Sequence, residues 1–114
     1  YAEVLAFLAS DTTDSNKYIE VVYVCSHFAR DVCNNAEGQG LRCAYVELRY
    51  VEGGHSIIAF NTIDQGLVFF DPQTDTQAYP AIGVKYHECV VPKPGYQYEP
   101  PSFDDTILDL LIIW

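Results

Sequence analysis

Basic residues are scarce in this chain. Six Lys and Arg stand against sixteen Asp and Glu in 114 residues, so the formal net charge is -10 at pH 7. That charge repels a phosphate backbone or an anionic membrane surface, and no basic cluster opposes it. No apolar run is long enough to cross a bilayer. We therefore expect neither nucleic-acid binding nor membrane insertion by this domain.

Cysteine pairs with the spacing of a metal site are also missing. The four cysteines form no Cys-x-x-Cys motif, so neither a metal nor another cofactor is expected. Cys25 and Cys33 lie about two turns apart on one predicted helix, too far apart to bond each other. Cys33 and Cys43 are expected to be small buried core residues. A disulfide to Cys89 stays open, but no spacing indicates it.

Methionine is absent, and the chain begins in the middle of an apolar pattern. This predicts a domain taken from a longer protein, with residues 1–114 forming a single domain. About half of the residues are apolar (49%), which is enough for one hydrophobic core. Neither compartment nor oligomeric state can be predicted from these features.

Hydrophobic periodicity predicts helices over Tyr1–Ala9 and Cys25–Glu37. β-Branched and aromatic residues predict extended segments elsewhere, and for the last of them a strand is favoured over a helix. The predicted fold class is α+β, with the cysteine-bearing helix packed on an antiparallel β-sheet. The predicted extended segments are Tyr18–Val24, Leu41–Val51, His55–Asn61, Leu67–Phe70, Val84–Val91 and Ile107–Trp114.

Three residues that can form a nucleophilic relay lie at the ends of predicted elements: Cys25 opens a helix, His55 begins a strand, and Asp71 ends the next strand. A thiol, an imidazole and a carboxylate can act as nucleophile, base and orienting acid. Pairing the hairpin outward from a turn near residues 63 and 64 places His55 opposite Asp71, within one register step. The N-terminal end of the helix dipole favours the thiolate of Cys25.

The segments around these residues resemble the transglutaminase-like superfamily, which shares its core with papain-like cysteine proteases. The resemblance implies a papain/transglutaminase-like core, with Cys25 as nucleophile, His55 as general base and acid, and Asp71 as orienting carboxylate. It implies acyl transfer from a peptide or amide bond of a peptide or protein substrate. One departure is Ser56, where relatives often carry an aromatic residue. The resembling segments are Tyr23–Ala29, Gly40–Val46, Gly54–Ser56 and Gly66–Pro72.

Two alternatives remain. A catalytically inactive binding module would keep the fold, and the segment Pro92–Pro101, with its tyrosines Tyr96 and Tyr98, would then be either a recognition surface or a cover for the sheet edge. A metal site built from Cys25, His27 and His55 is disfavoured, because Cys25 and His27 are two residues apart on a helix and point to different sides.

Overall fold

The fold is built on an antiparallel sheet in which five strands follow the order β4-β3-β2-β1-β5. The computed structural model describes residues 1–19, 24–92, 94–95 and 100–114. Each strand pairs with its neighbours in antiparallel fashion. Short turns can therefore connect the first three strands of the chain. The strands are β1 (Ala44–Arg49), β2 (Gly54–Thr62), β3 (Gly66–Asp71), β4 (Thr76–Ala78) and β5 (Asp109–Ile113).

Three α-helices accompany the sheet: α1 (Ala2–Ser10), α2 (Cys25–Gly38) and the single turn α3 (Tyr86–Cys89). The first turn of α2 is closed by His27, whose Nδ1 accepts a hydrogen bond of 3.0 Å from the backbone N–H of Val24. This satisfies one polar group where the helix begins. The chain turns back after α2 at Gly40, whose φ of +81° is readily adopted by glycine.

Two hydrophobic layers cover the two faces of the sheet. On one face, α1 and α2 pack through apolar side chains such as Phe7, Val32 and Cys33 against Phe60 and Phe70 of the sheet. On the other face, the alternating side chains of β1 pack with residues from α3 and from the segment before β5. This second cluster includes Ala44, Val46, Leu48, Tyr50, Ile57, Tyr86, Cys89 and Ile107. The period-two alternation in β1 therefore separates the two faces.

Close packing fixes the start of β2. Gly54 lies so near β1 that a Cβ atom at this position would collide with the backbone carbonyl oxygen of Leu48. The register pairs Leu48 with His55, so the absence of a side chain at Gly54 lets His55 approach β1. The preceding Gly53 adopts φ +80°, which closes the turn between the two strands.

Local predictions match most elements, but not all. The helices at Tyr1–Ala9 and Cys25–Glu37 are confirmed within one residue, and the final segment is a strand as favoured. The predicted strand Val84–Val91 is wrong, because its centre forms α3. The short strand β4 was not predicted. Predictions for residues 20–23 and for Tyr96 and Tyr98 fall outside the described residues.

The predicted fold class, an α+β domain with a papain/transglutaminase-like core, is wrong. The sheet is the dominant unit, and the helices have only 9, 14 and 4 residues. Short motifs around a cysteine, a histidine and an aspartate specify the local order of helix and strands. They contain no information on how β5 joins β1 at the far end of the sheet, which is a tertiary contact between distant segments.

Candidate functional site

The structure brings Cys25, His55 and Asp71 together. Cys25 is the first residue of α2 and is half-buried, while His55 lies near the start of β2 and Asp71 ends β3. His55 Nε2 hydrogen-bonds Asp71, and the interaction with His55 lowers the pKa of Cys25. Three elements that are distant in sequence therefore place a thiol, an imidazole and a carboxylate in one chain of contacts.

The contact between His55 and Asp71 is diagonal across the hairpin. The observed register pairs Ile58 with Phe70 and Thr62 with Gly66, so continuing it places Asp71 opposite Ile57 rather than His55. The register is thus shifted by two residues from the predicted one. A shift of two keeps both side chains on the same face, whereas a shift of one would separate them. The side chains span the diagonal, with His55 Nε2 2.8 Å from Asp71 Oδ2.

Asp71 is almost completely buried, with 1% of its surface exposed. Oδ2 also accepts a hydrogen bond of 2.9 Å from the Tyr86 hydroxyl, and Oδ1 accepts one of 3.0 Å from the Gln73 backbone N–H. Burial raises the pKa of Asp71, but the bonds from His55, Gln73 and Tyr86 outweigh it and hold the pKa below its usual value. The carboxylate therefore remains charged and fixed in position.

His55 lies between two acidic partners. Burial lowers its pKa, but the hydrogen bonds to Asp71 and Cys25 raise it to about 9. Nε2 is engaged by Asp71, so Nδ1 is the ring nitrogen that Asp71 does not occupy. The Tyr86 ring packs against the imidazole, with centroids 5.1 Å apart. Asp71 and Tyr86 thus fix the orientation of the ring.

Cys25 is placed to ionise. Burial raises the pKa of its thiol, but the hydrogen bond and charge of His55, together with contacts to Ser56, lower it overall. A thiolate beside an imidazolium is the reactive form of cysteine. The arrangement therefore favours the nucleophilic thiolate at a lower pH than for an unperturbed thiol.

Two residues of this site were missed by the sequence analysis. Tyr86 was placed in a predicted strand, and nothing in its neighbourhood pointed to Asp71, fifteen residues away. Ser56 was noted only as a departure from an aromatic pattern. It contacts Cys25, and its hydroxyl lies 2.9 Å from the Tyr45 hydroxyl. The sequence feature that could have pointed to Ser56 was a serine at a position where relatives of the resembled family often carry an aromatic ring.

Three open clefts, each with an arginine in its wall, lie on the described surface. A cleft of about 310 Å³ borders Cys25 and His55 and includes Arg49. A second cleft, of about 400 Å³, lies along α2 and includes Arg30. The third, of about 300 Å³, is lined by Arg42, Asn61 and Trp114.

Metal-ligand clusters and membrane-spanning helices are both absent from the described part of the chain. Within the described residues, no group of three His, Cys, Asp or Glu side chains is arranged to hold a metal ion. His27, which the disfavoured metal alternative would use, directs Nδ1 to the backbone of Val24. No helix in the described part of the chain combines the length and hydrophobicity needed to cross a bilayer.

The fold is similar to that of two solved structures. The structure is similar to the Polyporus squamosus lectin bound to the human-type influenza-binding epitope Neu5Aca2-6Galb1-4GlcNAc, with a TM-score of 0.60 and 17% identity over 68% of this chain and 32% of that chain. It is also similar to PSL1a in complex with E64, with a TM-score of 0.59 and 17% identity over 67% and 32%. The likeness concerns the fold, and the chain spans about a third of the length of these proteins. No protein-family model and no curated protein matches the chain.

These comparisons correct the functional prediction. The assignment to the transglutaminase-like superfamily is wrong, and so is the prediction of a cysteine hydrolase or acyltransferase of that kind, because the similar structures include that of a lectin and no family model supports the assignment. A peptide substrate is likewise unsupported. The alternative of a binding module agrees better with the fold.

Proposed function

We propose that this chain is a binding module of a larger lectin-like protein and that its ligand is a glycan. The observation that carries the proposal is the shared fold with a lectin in complex with a sialylated trisaccharide. The matched region is about a third of that lectin chain, which supports the expectation that residues 1–114 are one domain of a longer protein.

The cleft at Arg42 is the best candidate for the binding site. Sialic acid carries a carboxylate, which a guanidinium binds well. Arg30 contacts Asp31 at 2.9 Å and Arg49 contacts Asp109 at 3.7 Å. Arg42 has no carboxylate within ion-pair distance among the described residues and instead stacks on Trp114, 5.3 Å from the ring centroid.

The other groups in this cleft suit a sugar. Trp114 is 46% exposed and offers an apolar face, and the amide of exposed Asn61 can both donate and accept hydrogen bonds. A concave site that combines an aromatic surface with a few polar groups is typical of small-ligand binding.

Calorimetric titration tests this proposal. We expect saturable binding of Neu5Acα2-6Galβ1-4GlcNAc and at least tenfold weaker binding of the same sugar without sialic acid. Arg42→Gln should weaken binding of the sialylated sugar about tenfold, since it removes one charge-assisted contact. Arg30→Gln is the matched control and should have no effect. Absence of binding by the wild-type chain would contradict the proposal. Loss of binding in Arg30→Gln would contradict the assignment to the Arg42 cleft and indicate the cleft along α2 instead.

We propose, as a second candidate, that Cys25, His55 and Asp71 form a reactive-thiol centre. The observation that favours it is the 2.8 Å contact between His55 and buried Asp71, together with an interaction of His55 with Cys25 that lowers the pKa of the thiol. In this centre Cys25 is the nucleophile, His55 is the base that holds its proton, and Asp71 orients the ring. The cleft beside Cys25 and His55 gives an electrophile access to the sulfur.

Alkylation kinetics test this second candidate. Cys25 Sγ should displace iodide from iodoacetamide, with a rate that titrates well below the ordinary thiol pKa of about 8.5. His55→Ala should slow this reaction about tenfold at pH 6.5, whereas His87→Ala, which alters a histidine bonded to Asp105, should leave it unchanged. Cys89, whose pKa is raised by burial, is the slow internal reference. Equal rates at Cys25 and Cys89, unaffected by His55→Ala, would overturn the candidate.

A further inference from the structure

Two of the remaining cysteines meet in the core. Cys33 lies on the inner face of α2 and Cys43 immediately precedes β1, and their Sγ atoms are 2.8 Å apart. Their exposed fractions are 8% and 2%, so neither thiol faces solvent. The sequence predicted that both would be buried, but it gave no indication that they would touch.

The separation is short for two unbonded sulfur atoms. Carbon atoms in van der Waals contact lie roughly 3.5–4.0 Å apart, and sulfur is larger. The thiol is also a weak hydrogen-bond donor and a weak acceptor, so a hydrogen bond between two thiols gives little reason for such an approach. A disulfide, at about 2.05 Å, needs only a small further movement of the two atoms.

We infer that Cys33 and Cys43 are a disulfide-forming pair that covalently joins α2 to the start of β1. This inference is independent of the proposed function. The other two cysteines are placed differently: Cys25 contacts His55, and the Cys89 thiol contacts the Lys85 carbonyl at 3.4 Å.

Thiol–disulfide exchange can form the bond. One thiolate attacks glutathione disulfide, which releases one glutathione and leaves a mixed disulfide. The second thiolate then attacks the protein sulfur of that mixed disulfide and releases a second glutathione. The protein loses two protons and two electrons, and glutathione disulfide is reduced to two glutathiones. The contact with Cys33 and burial raise the pKa of Cys43, so its thiolate is scarce in the folded state and exchange proceeds through folding or local opening.

The crosslink would constrain the candidate site. Cys33 lies about two turns along α2 from Cys25, and β1 is the strand that pairs with His55 on β2. A bond from the helix to the strand leading into β1 therefore limits the movement of Cys25 relative to His55. Oxidation of Cys33 and Cys43 would then restrict the position of the Cys25 thiol relative to His55.

Thiol counting after refolding tests the inference. The full chain is refolded in glutathione buffers that are either rich in the disulfide or rich in the thiol, denatured, and alkylated with iodoacetamide. Intact mass and peptide mapping then locate the labels. After oxidative refolding we expect Cys33 and Cys43 to carry no label and to map as one disulfide-linked peptide pair, and after reductive refolding we expect labels on all four cysteines.

Variants provide the controls. Cys33→Ser should release Cys43 for labelling after oxidative refolding, whereas Cys89→Ser should leave Cys33 and Cys43 unlabelled. Labelling of all four wild-type cysteines after oxidative refolding would overturn the inference. So would mapping that joins Cys33 or Cys43 to glutathione or to either of the other cysteines. The wild-type mapping decides the question even if a serine variant does not fold.

Discussion

At the scale of single residues, the His55–Asp71 pair couples stability to pH. The pKa of His55 is raised from 6.5 to about 9, so its contribution is complete below pH 6.5 and is lost as the pH rises through about 9. The pKa of Asp71 is lowered from 3.8, so its contribution is present above that value and is lost as the pH falls further. The ion pair therefore stabilises the fold most between these two limits.

Asp71→Asn should lower the free energy of unfolding by roughly 2 kcal/mol at pH 5, because the charged ring loses its buried partner. The difference from wild type should shrink by pH 9.5, where most of the histidine is neutral in both proteins. Urea denaturation at the two pH values measures it. Asp64→Asn removes an exposed carboxylate and is the surface control, for which we expect little change. A loss in Asp71→Asn that is the same at both pH values would contradict this account.

At the scale of elements, the position of His55 depends on how closely β2 approaches β1. Gly54→Ala should destabilise the protein by about 3 kcal/mol, because the added methyl group meets the Leu48 carbonyl oxygen, which belongs to the backbone and cannot move aside. Thermal or urea denaturation measures the loss. Displacement of β2 should also slow the alkylation of Cys25.

Gly38→Ala is the matched control for this substitution. Gly38 ends α2, has an ordinary φ, and would place its new methyl group in open space. Alanine is the better helix former, so this variant should be neutral or slightly stabilised. If both variants had equal stability, close packing at Gly54 would not be what positions His55.

The local elements were predictable because their signals lie within one segment. The helix from Cys25 follows from apolar spacing, and the alternation in β1 follows from the period of a strand. The hairpin register was wrong by two residues because Thr62 pairs with Gly66, which adopts φ +68° at the end of a three-residue loop. The pattern around the turn did not specify that loop length.

The site was only partly predictable for the same reason. Cys25, His55 and Asp71 stand next to helix and strand boundaries, which the local sequence pattern could predict. Tyr86 and the Cys33–Cys43 contact depend on how distant segments pack, and no local pattern encodes that packing. Whether the three site residues act as a nucleophilic centre stays a prediction.

At the scale of the whole molecule, the fold class depends on the order of the strands in the sheet. Joining β5 to β1 completes a five-stranded sheet with a hydrophobic cluster on each face, and this architecture is shared with part of a lectin. The motifs that indicated a transglutaminase-like enzyme cover only the middle of the chain. They could not reveal the pairing of β1 with a strand near residue 110, and they led to the wrong class.

The surface charge of the molecule bears on the proposed binding of a sialylated glycan. With a net charge of -10, the protein as a whole repels an acidic sugar. Binding therefore requires a local cationic group that no protein carboxylate neutralises, and Arg42 meets that condition among the described residues. The position of Arg42 over Trp114 also supplies a direct reporter, because the chain contains a single tryptophan.

Tryptophan fluorescence during titration with Neu5Acα2-6Galβ1-4GlcNAc is the most direct measurement of the proposed function. We predict a saturable change in the emission of Trp114 with the sialylated sugar, little change with the same sugar lacking sialic acid, and a strongly reduced response in Arg42→Gln. An emission spectrum that stays constant up to millimolar concentrations of the sialylated sugar would contradict the assignment of this cleft as the glycan site.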